Sequence, residues 1–384
     1  MTTTPVVDNL TDLAELAAQH ANEGERERRL AEPVVGALRD AGLFRALVPA
    51  ELGGLEAAPL DFLDVVRALA ASDASAAWVV AVTGVCGLVC GYLDGAVAAE
   101  VFAADSIVGG VFAPRGRALR EDGRLRVKGR WSFASGSAHA DWLMVGCTVA
   151  DGHDVERTPA GGPDVRLVFL PASDYRVHDT WDVAGLRATG SNDVELDGAE
   201  VDTRRSVSVL TQPLRLEAPL YLFPLFGLFS LSIACVLLGI AEASIRDLVE
   251  LAGGKTPTGH ARPLAARNDT QARVARAQAG LDAARVLVAD AVDAAWATAR
   301  SGERPELAAR AALRRAATHA AETAAHVTGD MYALAGGTSV YRSSPLERRA
   351  RDMHVGTQHA MVGPPTWELA GRVALALETD TSQL

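Results

Sequence analysis

The chain has 384 residues, 49% hydrophobic and 22% charged, enough apolar material for two or three domains or one large one. Its formal net charge is −11 and no basic cluster stands unmixed with acid, which disfavours nucleic acid and other polyanions as partners. The four cysteines, Cys86, Cys90, Cys147 and Cys235, sit in apolar runs and read as reduced core thiols of a cytoplasmic protein rather than a disulfide frame.

Met1 to Asp8 lacks the charged and then apolar pattern of a signal peptide. Asn9 to Asn22 is rich in Ala, Leu and Glu and predicts a helix, with Glu23 to Arg29 as its solvated continuation or a turn. Glu32-Pro33 opens a second helix, since proline is tolerated in a first turn. Pro59 to Ala71 and Ser75 to Leu93 predict two more, the latter almost wholly apolar and therefore central. Asp94 to Ala104 adds a short amphipathic turn or helix. Cys86 and Cys90 stand four apart on the central helix, but no second Cys or His pair completes a metal site, so no metal is expected.

The pattern changes after residue 105. Ile107 to Phe112, Leu125 to Trp131, Leu143 to Val149 and Val165 to Leu170 are β-branched runs between Gly, Asp and Pro turns. Tyr175 to Val183 and Asp193 to Val201 continue the series. Successive strands without intervening helices predict an antiparallel sheet or barrel. No G-x-G-x-x-G follows a strand, which disfavours a nicotinamide-type Rossmann site.

From Pro219 the chain is helical again. Ala218 to Ala241 carries no charge and is long enough to span a bilayer, but Pro224, Gly227 and Gly239 interrupt it, so a buried bundle helix and no membrane are expected. Phe223 to Leu251, with a bend near Pro224 to Gly227, then Thr270 to Arg300, Pro305 to Leu334 and Pro345 to Val362 predict four long helices. Thr366 to Leu377 closes the chain. Their narrow Ala-rich faces predict a tight bundle that also packs against other subunits. The chain is thus read as α+β, with a helical domain at 1–105, an antiparallel β domain at 106–210 and a helical bundle at 211–384.

One stretch, Gly129 to Trp142, gathers aromatic rings, small residues, hydroxyls and a histidine. From the residues alone it is either a hairpin with two core tryptophans or one wall of a flat, mostly apolar cofactor site.

The order of helical domain, β domain and four-helix bundle resembles the acyl-CoA dehydrogenase fold. Three motifs carry the resemblance across nearly the whole chain: Leu43-Phe44 with Val48-Pro49-Ala50-Glu51-Leu52-Gly53-Gly54, Asp179-Thr180-Trp181 with Gly185 to Asp193, and Pro345-Leu346-Glu347-Arg348 with Arg351-Asp352. Many dehydrogenases of the family place a glutamate base just after the Arg-Asp pair. Here the chain reads Arg351-Asp352-Met353-His354-Val355-Gly356-Thr357-Gln358-His359, with no carboxylate between Asp352 and Glu368. That ending, with Trp131-Ser132-Phe133-Ala134-Ser135-Gly136, is similar to the two-component flavin-dependent monooxygenases built on this fold.

The resemblance implies a reduced flavin (FMNH2 or FADH2) delivered by a separate flavin reductase, reacting with O2 to a C4a-hydroperoxyflavin that hydroxylates a small aromatic substrate, phenolic or polyketide-like, in a homotetramer. It implies Ser135 at the flavin N5 edge and His359 holding the peroxide or substrate oxygen and accepting a phenolic proton. Trp131, Phe133 and Ala113 are expected against the flavin ring. Arg262 and the Gly336-Gly337-Thr338-Ser339 turn are expected at its phosphate, the turn from a neighbouring subunit. His139 and Cys86 are expected near the substrate. Ser135 also reads as a turn serine, Arg262 as a solvated loop arginine and Gly336-Gly337 as a helix stop. Two alternatives remain at this point: an acyl-CoA dehydrogenase-type flavin oxidoreductase and an N-hydroxylating monooxygenase acting on an amino sugar.

Overall fold

The structure, a computed structural model, describes residues 9–159 and 161–384. The reading of Met1 to Asp8 lies outside them.

The N-terminal layer holds α1 (Leu10–Glu27), α2 (Glu32–Asp40), α3 (Pro59–Ala70), α4 (Ala74–Cys86) and α5 (Gly95–Val101). The charged stretch after Asn22 continues α1 until Arg28 enters the left-handed region at φ 55°. Every residue of α4 is buried, so its sequence needs no polar face. Asp73 starts it, its carboxylate accepting from Ser75 N at 2.8 Å and from Ala76 N.

The middle layer holds β1 (Val108–Glu121), β2 (Arg124–Ala134), β3 (Trp142–Asp151), β4 (Asp154–Val155), β5 (Val165–Pro171), β6 (Arg176–His178), β7 (Asn192–Asp202) and β8 (Ser206–Val207). The sheet runs β6-β7-β2-β1-β3-β5-β8, with β4 paired to β3. One pair, β1 with β3, is parallel, so the sheet is mixed rather than antiparallel throughout. β2 returns beside β1 as a hairpin, and β3 then crosses to β1's other edge. Val127, Trp131, Val145, Val149 and Val194 fill a separate core within this layer.

The C-terminal layer holds α6 (Pro219–Leu222), α7 (Leu225–Gly254), α8 (Asn268–Arg300), α9 (Leu307–Ala335), α10 (Pro345–Gly356) and α11 (Pro365–Ala374). The expected bend near Pro224 is a full break between α6 and α7, because Phe223 and Pro224 are extended. α7 packs against α3, α4, α9 and α10 and ties the two helical layers together. The segments Ala74–Tyr92 and Leu225–Gly254 are long and apolar enough to cross a membrane, yet the most apolar 18-residue stretch of each is 100% and 83% buried within the protein.

Two departures shape the site. α10 stops at Gly356 instead of continuing to Val362, and extended His359 begins a 3-10 turn over Ala360–Val362. Gly185 lies so close to α10 that an added Cβ would stand 2.2 Å from Arg351 O. Only glycine lets the 185–191 loop reach α10, and Leu186 N then donates to Asp352 Oδ1 at 2.6 Å.

Candidate functional site

The loop after β2 carries Ser135, whose side chain is buried. Trp78, from α4, donates its indole N–H to Ser135 Oγ at 3.2 Å. Ser135 Oγ lies 2.7 Å from Ser191 Oγ, and Ser191 Oγ lies 2.7 Å from Thr189 Oγ1. Thr189 Oγ1 donates to Leu186 O at 2.8 Å. The same carbonyl accepts the Trp181 indole N–H at 3.1 Å. The sequence thus spends a run of small polar residues on one continuous hydroxyl row between α4 and the 185–191 loop.

His359 also meets Trp78. Their rings meet edge to face at 5.5 Å and 75°, and Phe229 of α7 meets the imidazole at 5.3 Å and 71°. Phe112 of β1 lies 5.3 Å from Phe229 and 6.0 Å from Phe226. His359 Nδ1 accepts the Met361 N–H at 3.3 Å, which puts the proton of the neutral ring on Nε2. Burial pushes the His359 pKa down to about 4, with the Arg314 charge adding to the effect. The ring is therefore neutral at ordinary pH and presents an N–H donor. Among the described residues, no carboxylate bonds to Trp78, Ser135, Ser191 or His359.

Phe133 stands at a bulge in the β2–β7 pairing between Trp131 and Ala134. It takes the left-handed φ of 67° and is 68% exposed, with its ring edge-on to Trp181 at 6.1 Å. A strained, outward-held aromatic residue is a feature of binding sites rather than of cores. Ala113, exposed, lies in the β1 bulge between Val111 and Gly116.

Three expected contacts are corrected. Trp131 is fully buried, donates to Gly146 O at 2.7 Å and packs against Gly116 and Gly129, so it offers no surface to a ligand. The bulge is the reason, because it turns Phe133 out while Trp131 stays in. Cys86 is fully buried between α4 and β1, its thiol on Val82 O and its pKa pushed up to about 12, so it presents no surface to a ligand in this structure. His139 faces Arg29, Glu32 and Arg39 of the N-terminal layer, has a buried Nε2 without a described partner, and does not join the Ser135 network.

The geometry has matching relatives. Residues 7–101 match the family described as "Acyl-CoA dehydrogenase, N-terminal domain", and residues 231–364 match "Acyl-CoA dehydrogenase, C-terminal domain". The indole-3-acetate monooxygenase of Pseudomonas putida is 32% identical over 95% of this chain and 91% of its own. The flavin-dependent monooxygenase, oxygenase subunit HsaA, of Rhodococcus jostii is 30% identical over 90% of this chain and 91% of its own. The structure of XiaF from a Streptomyces species in complex with FADH2 and glycerol superposes with a TM-score of 0.90 at 26% identity, covering 97% of this chain and 95% of that one. The chain belongs to the acyl-CoA dehydrogenase family. Within it, the chain stands with the flavin-dependent monooxygenases.

For a family member that uses flavin, the residues present fit the group. Exposed Phe133 and Ala113 offer apolar surface for a flat ring, and Ser135, two residues after Phe133, offers a hydroxyl oxygen with a lone pair to spare. The remaining expected contacts sit elsewhere in the acyl-CoA dehydrogenase fold. Arg262 lies in an open pocket of about 450 Å³ with His260, Arg267 and Asn268. Gly336 turns at φ 56°, and Lys255 reaches Ala335 O and, at 2.6 Å, Thr338 Oγ1. Ser339 donates back to Tyr332 O and Gly336 O. Among the described residues, no hydrogen bond joins this group to the Ser135 network within one chain.

Sequence reading missed Trp78, Thr189, Ser191, Phe112 and Phe229. Thr189 and Ser191 lie inside the second family motif, which was the available signal. Nothing in the uniformly apolar α4 and α7 distinguishes Trp78 or Phe229 from core.

Proposed function

We propose that this chain is the oxygenase component of a two-component system and hydroxylates a small aromatic substrate with reduced flavin and O2. The supporting observation is that Trp78 joins Ser135 to His359 in an aromatic site where, among the described residues, no carboxylate bonds to any of the three. A dehydrogenase acting on an acyl thioester needs a base there, and an amino sugar needs an anion for its ammonium group. An indole- or phenol-sized ring suits the Phe112, Phe229 and Trp78 faces, in keeping with the relatives' names.

Reduced flavin, when bound, supplies the electrons with which O2 places one oxygen atom on the substrate and releases the other as water. Phe133 and Ala113 would hold its ring, and Ser135 its N5 edge. Arg262 would meet the phosphate end, and Gly336, Gly337, Thr338 and Ser339 would meet it from a neighbouring subunit. That arrangement needs a second copy of the chain, taken here as part of a homotetramer, and the outward apolar side chains of Val249, Val286, Val340 and Tyr341 on the C-terminal layer support such packing.

The chain's own chemistry is positional. The buried rings of Trp78 and Phe229 shield Ser135 and one side of half-buried His359 from bulk water, so each polar contact there gains strength. His359 Nε2–H donates to the oxygen of substrate or oxidant and orients it. As held by Met361 N–H, the ring is a donor and not the base of the initial reading. Ser135 fixes the cofactor edge. The domain limits 1–105, 106–210 and 211–384 belong to this reading, as does a cytoplasmic location, supported by four free, buried thiols.

The test is O2 uptake with chemically reduced FAD or FMN and a panel of phenols and indoles. A hydroxylated product carrying 18O from O2 is expected. Anaerobic bleaching of bound oxidised flavin by an acyl-CoA, with no oxygen incorporated, would overturn the proposal.

A further inference from the structure

The hydroxyl row has a direction. Leu186 O can only accept, so the single hydroxyl proton of Thr189 is committed to it. Toward Ser191, Thr189 Oγ1 is then an acceptor, and Ser191 spends its proton there. Toward Ser135, Ser191 Oγ is an acceptor in turn, and Ser135 spends its proton on Ser191. The Trp78 indole N–H, which can only donate, enters the row at Ser135 and agrees with this polarity. Thr189, Ser191 and Ser135 are 1%, 4% and 5% exposed, so water has little access to reroute the bonds. The anchor is itself fixed, because Leu186 N donates to buried Asp352, and Gly136 N donates to Thr189 O at 2.8 Å.

Ser135 Oγ is left with one lone pair and no free proton. We propose that Ser191 and Thr189 are positioning residues that make Ser135 a pure acceptor and so bias the site toward reduced over oxidised flavin. The inference rests on the reading that Ser135 faces flavin N5. Reduced flavin carries N–H at N5 and pairs with an acceptor. Oxidised flavin carries a lone pair there, which meets the Ser135 lone pair without a hydrogen. A hydroxyl free to rotate would donate to the oxidised form and accept from the reduced one, and would not discriminate.

The experiment measures dissociation constants of reduced and oxidised flavin, anaerobically and by fluorescence, for the full-length protein and its variants. The wild type is expected to prefer the reduced form. Ser191→Ala releases the Ser135 proton and should cut that preference about tenfold, the worth of one neutral hydrogen bond. Thr189→Val, nearly isosteric, frees the row at its anchor and should do the same, whereas Thr189→Ser keeps the polarity and should restore the preference. Circular dichroism confirms that each variant is folded. If Ser135→Ala abolishes the preference while Ser191→Ala and Thr189→Val keep it, the directional row is overturned and Ser135 still faces the flavin. If Ser135→Ala also keeps it, the placement of Ser135 fails and the inference falls with it.

Discussion

The indole N–H of Trp78 lies 3.2 Å from Ser135 Oγ, and the same ring meets the His359 imidazole edge-on at 5.5 Å. A residue of the N-terminal layer thereby fixes the spacing between one group from the sheet and one from the C-terminal layer. Trp78→Phe keeps much of the ring packing and removes the donor. It should cost about 1 kcal/mol of stability. It should also raise the share of O2 released as hydrogen peroxide, read from the ratio of product to O2 consumed. Unchanged coupling would show that Ser135 needs no support from Trp78.

His359 gives a kinetic prediction with a defined pH signature. Its imidazole, with a pKa near 4, stays neutral from about pH 5 upward. The hydroxylation rate should therefore show no ionisation near pH 6.5 that His359→Gln abolishes. Gln keeps an N–H donor and should retain part of the activity, whereas His359→Ala should lose roughly 10²-fold at equal flavin load. A rate that falls below pH 6.5 in wild type, but not in the Gln variant, would restore the base role.

The layer order was legible because it depends on local pattern, strand runs and helix punctuation, and short motifs singled out Ser135 and His359 as candidates. The place of Trp131 was not legible. Strict alternation puts residues 131 and 133 on one face, and the bulge between Trp131 and Ala134 separates them, leaving one buried and the other exposed. Trp78 was hidden for another reason. In a helix buried on all sides, hydrophobic periodicity vanishes, and only tertiary structure shows that one ring meets Ser135 and His359. The parallel β1–β3 pair was equally out of reach, because hydrophobic alternation does not encode strand direction.

Acid stability follows from two histidines. Burial holds both His139 and His359 near pKa 4, His139 also feeling the charges of Arg29 and Arg39. An unfolded histidine protonates near pH 6.5, so between pH 6.5 and 4 the unfolded chain binds more protons. The stability linked to both groups is present in full above that window and lost as pH falls through it, at most about 3 kcal/mol each. His139→Phe, which needs no proton, should flatten the fall of Tm between pH 6.5 and 4.5. An unchanged slope would mean that His139 is already protonated in the folded protein.

Asp352 carries the opposite sign. It is 5% exposed, and burial raises its pKa to about 6, with Asp73 adding to the rise against the Leu186 N–H and the Arg351 and Arg349 charges. The folded chain therefore binds this proton more tightly than the unfolded chain, whose aspartate titrates near 4. The stability it contributes is full below pH 4 and lost as pH rises through 6. Asp352→Asn keeps an oxygen for Leu186 N and removes the buried charge. Measured at pH 8, it should gain on the order of 1–3 kcal/mol relative to its own effect at pH 4. Because the Leu186 loop anchors Thr189, flavin selectivity should be unchanged in Asp352→Asn but reduced in Asp352→Ala, which leaves Leu186 N unpaired. If Asn and Ala lose selectivity alike, the carboxylate acts through its charge, and if neither loses it, the Asp352 contact does not hold the loop.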